Sequence, residues 1–410
     1  MTFAESAKFP HLPSTVMGMA ALVGIAYRQG DLASVWSQLL DRYAANPEDA
    51  AALMDMSVIL QTTGHPSKAL EFQQMALELS RSYARVDGDG KGLKVLAFVA
   101  DGDFMANTPI DFLMEGSNAV LTLYYVDGQT QDLRDVPEHD VAFIAAGESE
   151  ANVPVLANLE RLLEGWQRPI MNGVPRRIAA LTRDRVAGMF ADEPSIVAPA
   201  TMRADRATLY RLALGQIGLR ALLPNETFPI IVRPYGSHAG DGLEKTDSPA
   251  EVAAYLEKRS EQHFYLAPFI DYAGPDGFFR KQRIAVIDGR PFPSHLAVSS
   301  HWMVHYLNSG MQENEAWRTE EAAWMRDFDS DFALRHAPAF DALTRKIGLD
   351  YFVIDCAEMP DGRLLLFEAQ VAMIVHAMDA TGIFSYKQPA MRKLFSAFQT
   401  ALARQCSHVS

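Results

Sequence analysis

Between residues 14 and 84 the apolar positions recur at helical spacing. Ala20, Leu22, Val23, Ala26 and Tyr27 open the run, and Val35, Leu39 and Leu40 continue it. Turns fall at Gly30-Asp31, at Asn46-Pro47 and at the triplet Gly64, His65 and Pro66. The pattern predicts helices only, arranged as two pairs. Residues 86–92 form a polar, glycine-rich joint, and the periodicity changes beyond it.

Short β-branched or aromatic runs at 93–100, 119–125 and 140–146 read as strands, and 154–166 reads as a helix. Strands alternating with helices imply a small open α/β unit. It holds no G-x-G-x-x-G, so no dinucleotide site is expected there. From residue 170 onward, helices are predicted at 184–190, 204–217 and 249–260. Ser248, Pro249, Ala250 and Glu251 form a capping box with proline at the first helical position, which sets the start of the last one. Antiparallel strand signals at 229–233, 264–270, 278–287, 351–359 and 363–370 complete two α+β lobes joined by 264–271. The expected divisions are 1–86, 93–170, 171–265 and 266–410.

A chain of 410 residues is long enough for several such units. Hydrophobic content of 49% against 21% charged residues excludes a disordered chain. The net charge of −14 argues against nucleic acid as a partner, since phosphate backbones reward a basic face. Cys356 and Cys406 are the only cysteines, which excludes a disulfide framework and fits a reducing cytoplasm. The apolar run from Val16 to Tyr27 is too short to span a bilayer, so no membrane association is expected.

Three stretches carry chemistry. The first is a hairpin whose strands flank Pro360, Asp361 and Gly362. With Asp361-Gly362 as a two-residue turn, Pro360 pairs with Arg363, and counting outward sets Asp355 opposite Glu368. Two carboxylates on one face, roughly 5 Å apart at Cβ, repel unless a cation lies between them. Gln370 shares that face and offers an amide oxygen, so the three read as an all-oxygen set suited to Mg²⁺, the alternative being that Asp355 or Glu368 turns to solvent or pairs with an arginine. The second is a strand ending in Arg233, followed by a loop with Gly236, Gly240 and Gly242 whose amides could approach phosphate. It lacks the Gly-Lys-Ser/Thr of a Walker loop. The third is Arg280, Lys281, Gln282 and Arg283: period 2 places Lys281 and Arg283 on one face and Arg280 on the other. His295, His301 and His305 lack the glutamate of a zinc-protease helix, and a substrate contact or structural role is expected for them.

Taken in order, these landmarks resemble the ATP-grasp superfamily, in its glutathione synthetase and ribosomal-protein glutamate ligase branch. The matching positions are Pro169 to Asn172, the pair Asp184 and Arg185, Ile231 to Pro234 with Gly236 to Gly240, Pro268 to Asp271, Arg283, and finally Asp355 with Glu368 to Gln370. The resemblance implies an α+β fold: a pre-grasp α/β domain and two grasping lobes that hold Mg-ATP between them. It implies Arg185 and Arg233 in the places of phosphate-binding lysines. Gly236, Ser237, His238, Ala239, Gly240 and Gly242 would form the loop over the phosphates. The backbone of Ala267, Pro268, Phe269 and Ile270 would read adenine, and Asp271 would contact ribose. Asp355, Glu368 and Gln370 would hold Mg²⁺, with Arg283 beside the reacting acyl phosphate; Lys281, on the same strand face as Arg283, is the second catalytic candidate. The activity implied is ATP-dependent ligation of a small-molecule or peptide carboxylate to an amine. A phosphotransferase, or a nucleotide-binding adaptor without catalysis, is the alternative. Arginine replaces lysine twice, and Gln370 stands where the family has asparagine. The loop after Gln370 is apolar and lacks the family's small-Pro-Gly continuation. The helical front lies outside this match. Gly30 and Gly64 are 34 residues apart, and residues 67–76 resemble the second helix of a tetratricopeptide repeat. This segment therefore reads either as a helical bundle without a ligand or as a groove for a peptide or protein partner, and the chain as a whole could form a homo-oligomer.

Overall fold

A computed structural model describes residues 12, 14–237, 240–305 and 309–407. Strand β1 (Ser14–Thr15) leads into helices α1 (Met19–Tyr27), α2 (Leu32–Ala45), α3 (Ala50–Thr62) and α4 (Pro66–Leu79), and the chain returns as strand β2 (Ser82–Val86). Asp31 and Asp49 cap α2 and α3, accepting from Ser34 N and Ala52 N at 2.9 Å each. Helix α3 is buried almost all round, and Tyr125 Oη reaches its Met54 Sδ at 3.5 Å from the sheet below.

That sheet contains β3 (Lys94–Val99), β4 (Val120–Tyr125), β5 (Val141–Ile144) and β6 (Ile170–Met171), with the short helix α5 (Ile110–Leu113) and helix α6 (Val153–Leu162) in the connections. Its order is β1-β2-β4-β3-β5-β6. The pairs β3/β4, β3/β5 and β5/β6 are parallel, as the alternation of strand and helix predicts. The expected division at residue 86 is corrected here. β2 pairs antiparallel with β4 and belongs to the sheet, so the helical segment is wired into it at both ends. Five residues after a helix show too little alternation to stand apart from the helical pattern before them.

Helices α7 (Pro175–Ile178) and α8 (Arg183–Phe190) and strand β7 (Ile196–Val197) cross to the next unit, made of β8 (Met202–Asp205), α9 (Arg206–Ala213), β9 (Ile230–Pro234), β10 (Glu244–Thr246), α10 (Pro249–Lys258) and β11 (His263–Pro268). This antiparallel sheet runs β10-β9-β11-β8. The helix predicted from 204 starts at 206, because Met202–Asp205 pairs with β11 and Asp205 caps α9 at 2.7 Å from Thr208 N. At α10, Ser248 Oγ accepts from Glu251 N at 3.4 Å, while the Glu251 carboxylate accepts from Asp247 N, one residue ahead of the cap, at 2.8 Å.

The third unit holds β12 (Phe279–Ile287), β13 (Arg290–Ser299), α11 (Glu315–Asp327), α12 (Phe332–Arg335), α13 (Ala337–Ile347), β14 (Tyr351–Glu358), β15 (Leu364–Gln370) and the long helix α14 (Gln388–Ser407). Its sheet runs β13-β12-β14-β15-β7. One face packs Ile284, Val286 and Ile354 against Phe340 and Leu343. The other packs Ala285 and Val353 towards α14, whose Phe398 ring lies 5.5 Å from Phe143 and 5.2 Å from Tyr351. Helix α14 thereby ties the first sheet to the third. Among the described residues no helix is long and apolar enough to cross a membrane.

Candidate active site

The Asp355–Glu368 pairing predicted from the hairpin is present, but two departures from the predicted register produce it. The turn spans three residues, not two: Met359 N donates to Arg363 O and Gly362 N to Met359 O, both at 2.9 Å. Gly362 takes the left-handed φ of 84° that such a loop needs at its last position. This shifts the strands near the turn by one residue, so Glu358 faces Leu364 and Cys356 faces Leu366. A β-bulge at Phe367 then absorbs the shift, and Asp355 faces Glu368.

The opposition continues across the sheet. Arg283 on β12 is the ladder partner of Asp355, and His295 on β13 is the partner of Arg283. His295, Arg283, Asp355 and Glu368 therefore form one row over four adjacent strands. Arg283 grips Asp355 with two bonds, Nε to Oδ1 at 2.8 Å and Nη2 to Oδ2 at 3.0 Å, and donates to Ile374 O at 3.1 Å. Lys281, on the same face as predicted, is 2.7 Å from Asp355 Oδ2. Arg280 points to the opposite face and pairs with Asp276 and Glu320. Glu368 is paired with Arg183 from α8. Arg233 is buried and donates to the Ser237 hydroxyl at 3.1 Å and 3.3 Å.

These contacts set the charge states. Burial alone would push the Asp355 carboxyl up, but Arg283 and Lys281 outweigh it and hold it well below the usual range. Burial also acts upward on Glu368, where Arg183 outweighs it and the group is lowered. The Arg233 guanidinium is pushed down to about 9, by burial first and then by Arg183. Four cations thus converge on two carboxylates, and the excess of positive charge suits a polyanion.

A cleft opens beside this cluster, between the four-stranded and five-stranded sheets. Arg183, Arg233, Lys281 and Glu368 line it, and most of the remaining wall is apolar. Ala267, Pro268, Phe269 and Ile270 line it together with Leu365, Leu366 and Phe367. An apolar slot leading to a cationic end fits a nucleotide in shape and charge. Asp355 and Glu368 oppose each other with the Gln370 amide on the same sheet face, but Arg283, Lys281 and Arg183 already answer these carboxylates, so a divalent cation would have to displace those pairs. Among the described residues no group of three or more histidine, cysteine or acidic side chains could hold a metal by itself.

Other predicted positions fall elsewhere. Arg185 is exposed, donates to Ala179 O at 3.2 Å and does not line the cleft, whereas Arg183 does. The reason is helical phase. Val186, Ala187 and Phe190 are the buried face of α8, and position 183 shares that face whereas 185 lies opposite. That signal was present in the sequence. Asp271 is exposed, accepts from Ala273 N at 3.0 Å and also lies off the cleft wall. Of the glycine loop, Ser237 meets Arg233, and Gly236, Gly240 and Gly242 have positive φ but do not line the cleft. An added Cβ at Gly242 would stand 2.7 Å from the Pro234 ring, so that position admits only glycine. His238 and Ala239 lie outside the described residues.

A second cavity adjoins the first, and Lys281 lines both. Arg283, His295 and His305 form part of it, while His301 is exposed and lies on neither wall. The apolar loop after Gln370 builds another part of its wall: Val371, Ala372, Met373 and Val375 are buried, and Ile374, His376, Met378 and Asp379 reach the cavity.

No protein-family model matches the chain. No curated protein matches it either. Solved structures do. A D-alanine–D-alanine ligase from Bacillus anthracis complexed with ATP is similar at 11% identity and a TM-score of 0.44, over 77% of this chain and 99% of that one. VanG, a D-Ala:D-Ser ligase from Enterococcus faecalis, is similar at 10% identity and a TM-score of 0.46, over 77% and 100%. A RimK-domain ATP-grasp protein from Sphaerobacter thermophilus is similar at 12% identity and a TM-score of 0.38, over 75% and 98%.

Proposed function

We propose that this protein uses ATP to activate a carboxylic acid and passes the acyl group to an amine. The observation that carries the reading is the cation cluster at the end of the apolar cleft, with two ladder-opposed carboxylates inside it. In this reading the base of the nucleotide lies against 267–270 and Phe367, and its triphosphate reaches Arg183, Arg233 and Lys281. Asp355, Glu368 and Gln370 would hold Mg²⁺, which would offset triphosphate charge that the arginines leave uncovered. Ser237, bonded to Arg233, ties the glycine loop to the phosphate end.

The chemistry follows from that placement. A carboxylate oxygen of the acid attacks the γ-phosphorus, the bond to the β-phosphate oxygen breaks, and ADP leaves. The chain's contribution is to align the two anions and to offset their repulsion with Lys281 and Arg283. The amine then adds to the acyl phosphate carbon, its proton is lost to solvent, and phosphate departs with the former carboxylate oxygen. The order of motifs in the sequence supports the same reading.

Incubating the protein with ATP, magnesium, hydroxylamine and a panel of acids tests it. Hydroxamate and ADP are expected in equal amounts, and the doubly substituted Asp355→Asn, Glu368→Gln protein should lose at least about 100-fold in rate. A phosphorylated product without hydroxamate would point to phosphotransfer. Neither product from a broad panel, in protein that binds nucleotide, would remove the ligase reading.

A further inference from the structure

The second cavity has a wall that the resemblance does not supply. Met19 and Val23 of α1 line it, four residues apart on one helical face. Helix α1 is held in place by buried carboxylates from two other helices. Asp55 on α3 accepts from Met17 N at 2.8 Å and Gly18 N at 3.1 Å, and Asp111 on α5 accepts from Ala20 N at 3.4 Å. Gly18 has a φ of 83°, and a Cβ there would stand 2.6 Å from Asp111 Oδ2, so the approach requires glycine. The helical front is thus docked tightly against the candidate chamber.

The chamber is polarised. Lys281 and Arg283 stand at the end shared with the cleft, and Phe104, Phe112 and Met378 extend the apolar surface of α1. The acid on its wall, Asp379, is already answered by Lys387 at 2.6 Å, and both are buried. The space therefore offers Lys281 and Arg283 together with an apolar surface from Met19, Val23, Phe104, Phe112 and Met378, while Lys387, which also lines it, is paired with Asp379.

We propose that α1 is the selectivity wall of an acid-binding chamber. It accepts a monocarboxylic acid with its carboxylate at Lys281 and Arg283 and an uncharged apolar body against Met19 and Val23, so that the side chain at 23 sets the size of that body. This rests on the ligase reading for what happens to the acid, but binding does not require turnover. It gives the N-terminal helices a part in substrate choice.

The test measures binding of hexanoate, decanoate, 3-phenylpropanoate and the neutral 3-phenylpropanamide by saturation-transfer NMR, with and without a non-hydrolysable ATP analogue. The carboxylates should bind and the amide should bind about tenfold more weakly or not at all. Val23→Trp should weaken 3-phenylpropanoate and decanoate about tenfold or more and hexanoate less, with nucleotide affinity kept within about twofold. Val23→Ala, which leaves the fold least disturbed, should shift preference towards decanoate. Equal binding of acid and amide, no acid binding in either nucleotide state, or an unchanged size preference in both variants would overturn the proposal. Size-dependent acid binding without hydroxamate would retain the chamber and remove the ligase reading. Hydroxamate formation with a size preference indifferent to residue 23 would do the reverse.

Discussion

Burial pushes the Asp55 carboxyl up to about 7, although the donors Met17 N and Gly18 N pull it the other way. In the unfolded chain the same group titrates near about 4. The folded protein therefore holds the extra proton between about pH 4 and about pH 7, and Asp55 contributes less stability as pH rises through that window. The carboxamide introduced by Asp55→Asn would not titrate. Comparing urea unfolding of wild type and Asp55→Asn at about pH 5 and about pH 8, the difference should move against the wild type at the higher pH. A pH-independent difference would contradict it. At the cleft, Arg183→Gln should weaken ATP binding roughly 10- to 100-fold, since it removes a charged partner of Glu368 and of the proposed phosphates, and Arg185→Gln should stay within about twofold. Titration calorimetry decides between them. The sequence pointed to Arg185 because motif order names a neighbourhood, whereas the apolar face of α8 names the side chain. Lys281, Arg283, Asp355 and Glu368 were legible because period 2 and ladder pairing are local rules. Which cations would bind which carboxylate was not, because Arg183 and Glu368 are 185 residues apart.

At the scale of elements, the β14–β15 hairpin shows how a correct pairing can follow from an incomplete rule. Asp361-Gly362 is the usual two-residue signal, but the loop takes three residues and Phe367 bulges to restore the register. Nothing local in the 364–370 run marks the bulge. Gly362→Ala should lower stability by about 1 kcal/mol, because it places a side chain at positive φ, and should leave nucleotide affinity unchanged, since the loop is exposed and its Cβ would meet open space. Chemical denaturation with a parallel nucleotide titration checks both halves. Strand β13 and helices α11 to α14 were not assigned in the sequence. In β13, Pro291 and Pro293 obscure the alternation, and the chain tolerates them at the sheet edge.

In the whole molecule, the units read from the sequence share cores. Leu53, Met54 and Met56 of α3 pack in one cluster with Tyr83, Val95 and Phe398, which spacing along the chain does not reveal because the partners come from distant parts of the sequence. Deleting residues 1–80 should therefore yield insoluble or unfolded protein, read by circular dichroism and size-exclusion chromatography. A folded, monodisperse product would show that the front is dispensable. The alternating strand–helix unit and the two α+β lobes were legible, since each repeats a period; their assembly through α14 and α1 was not. The most direct test of the account follows the oxygen atoms. With an acid labelled with oxygen-18 in its carboxylate, turnover with ATP and an amine should place one labelled oxygen in the released phosphate. Phosphate free of label, formed at the same rate as product, would contradict activation of the carboxylate by ATP.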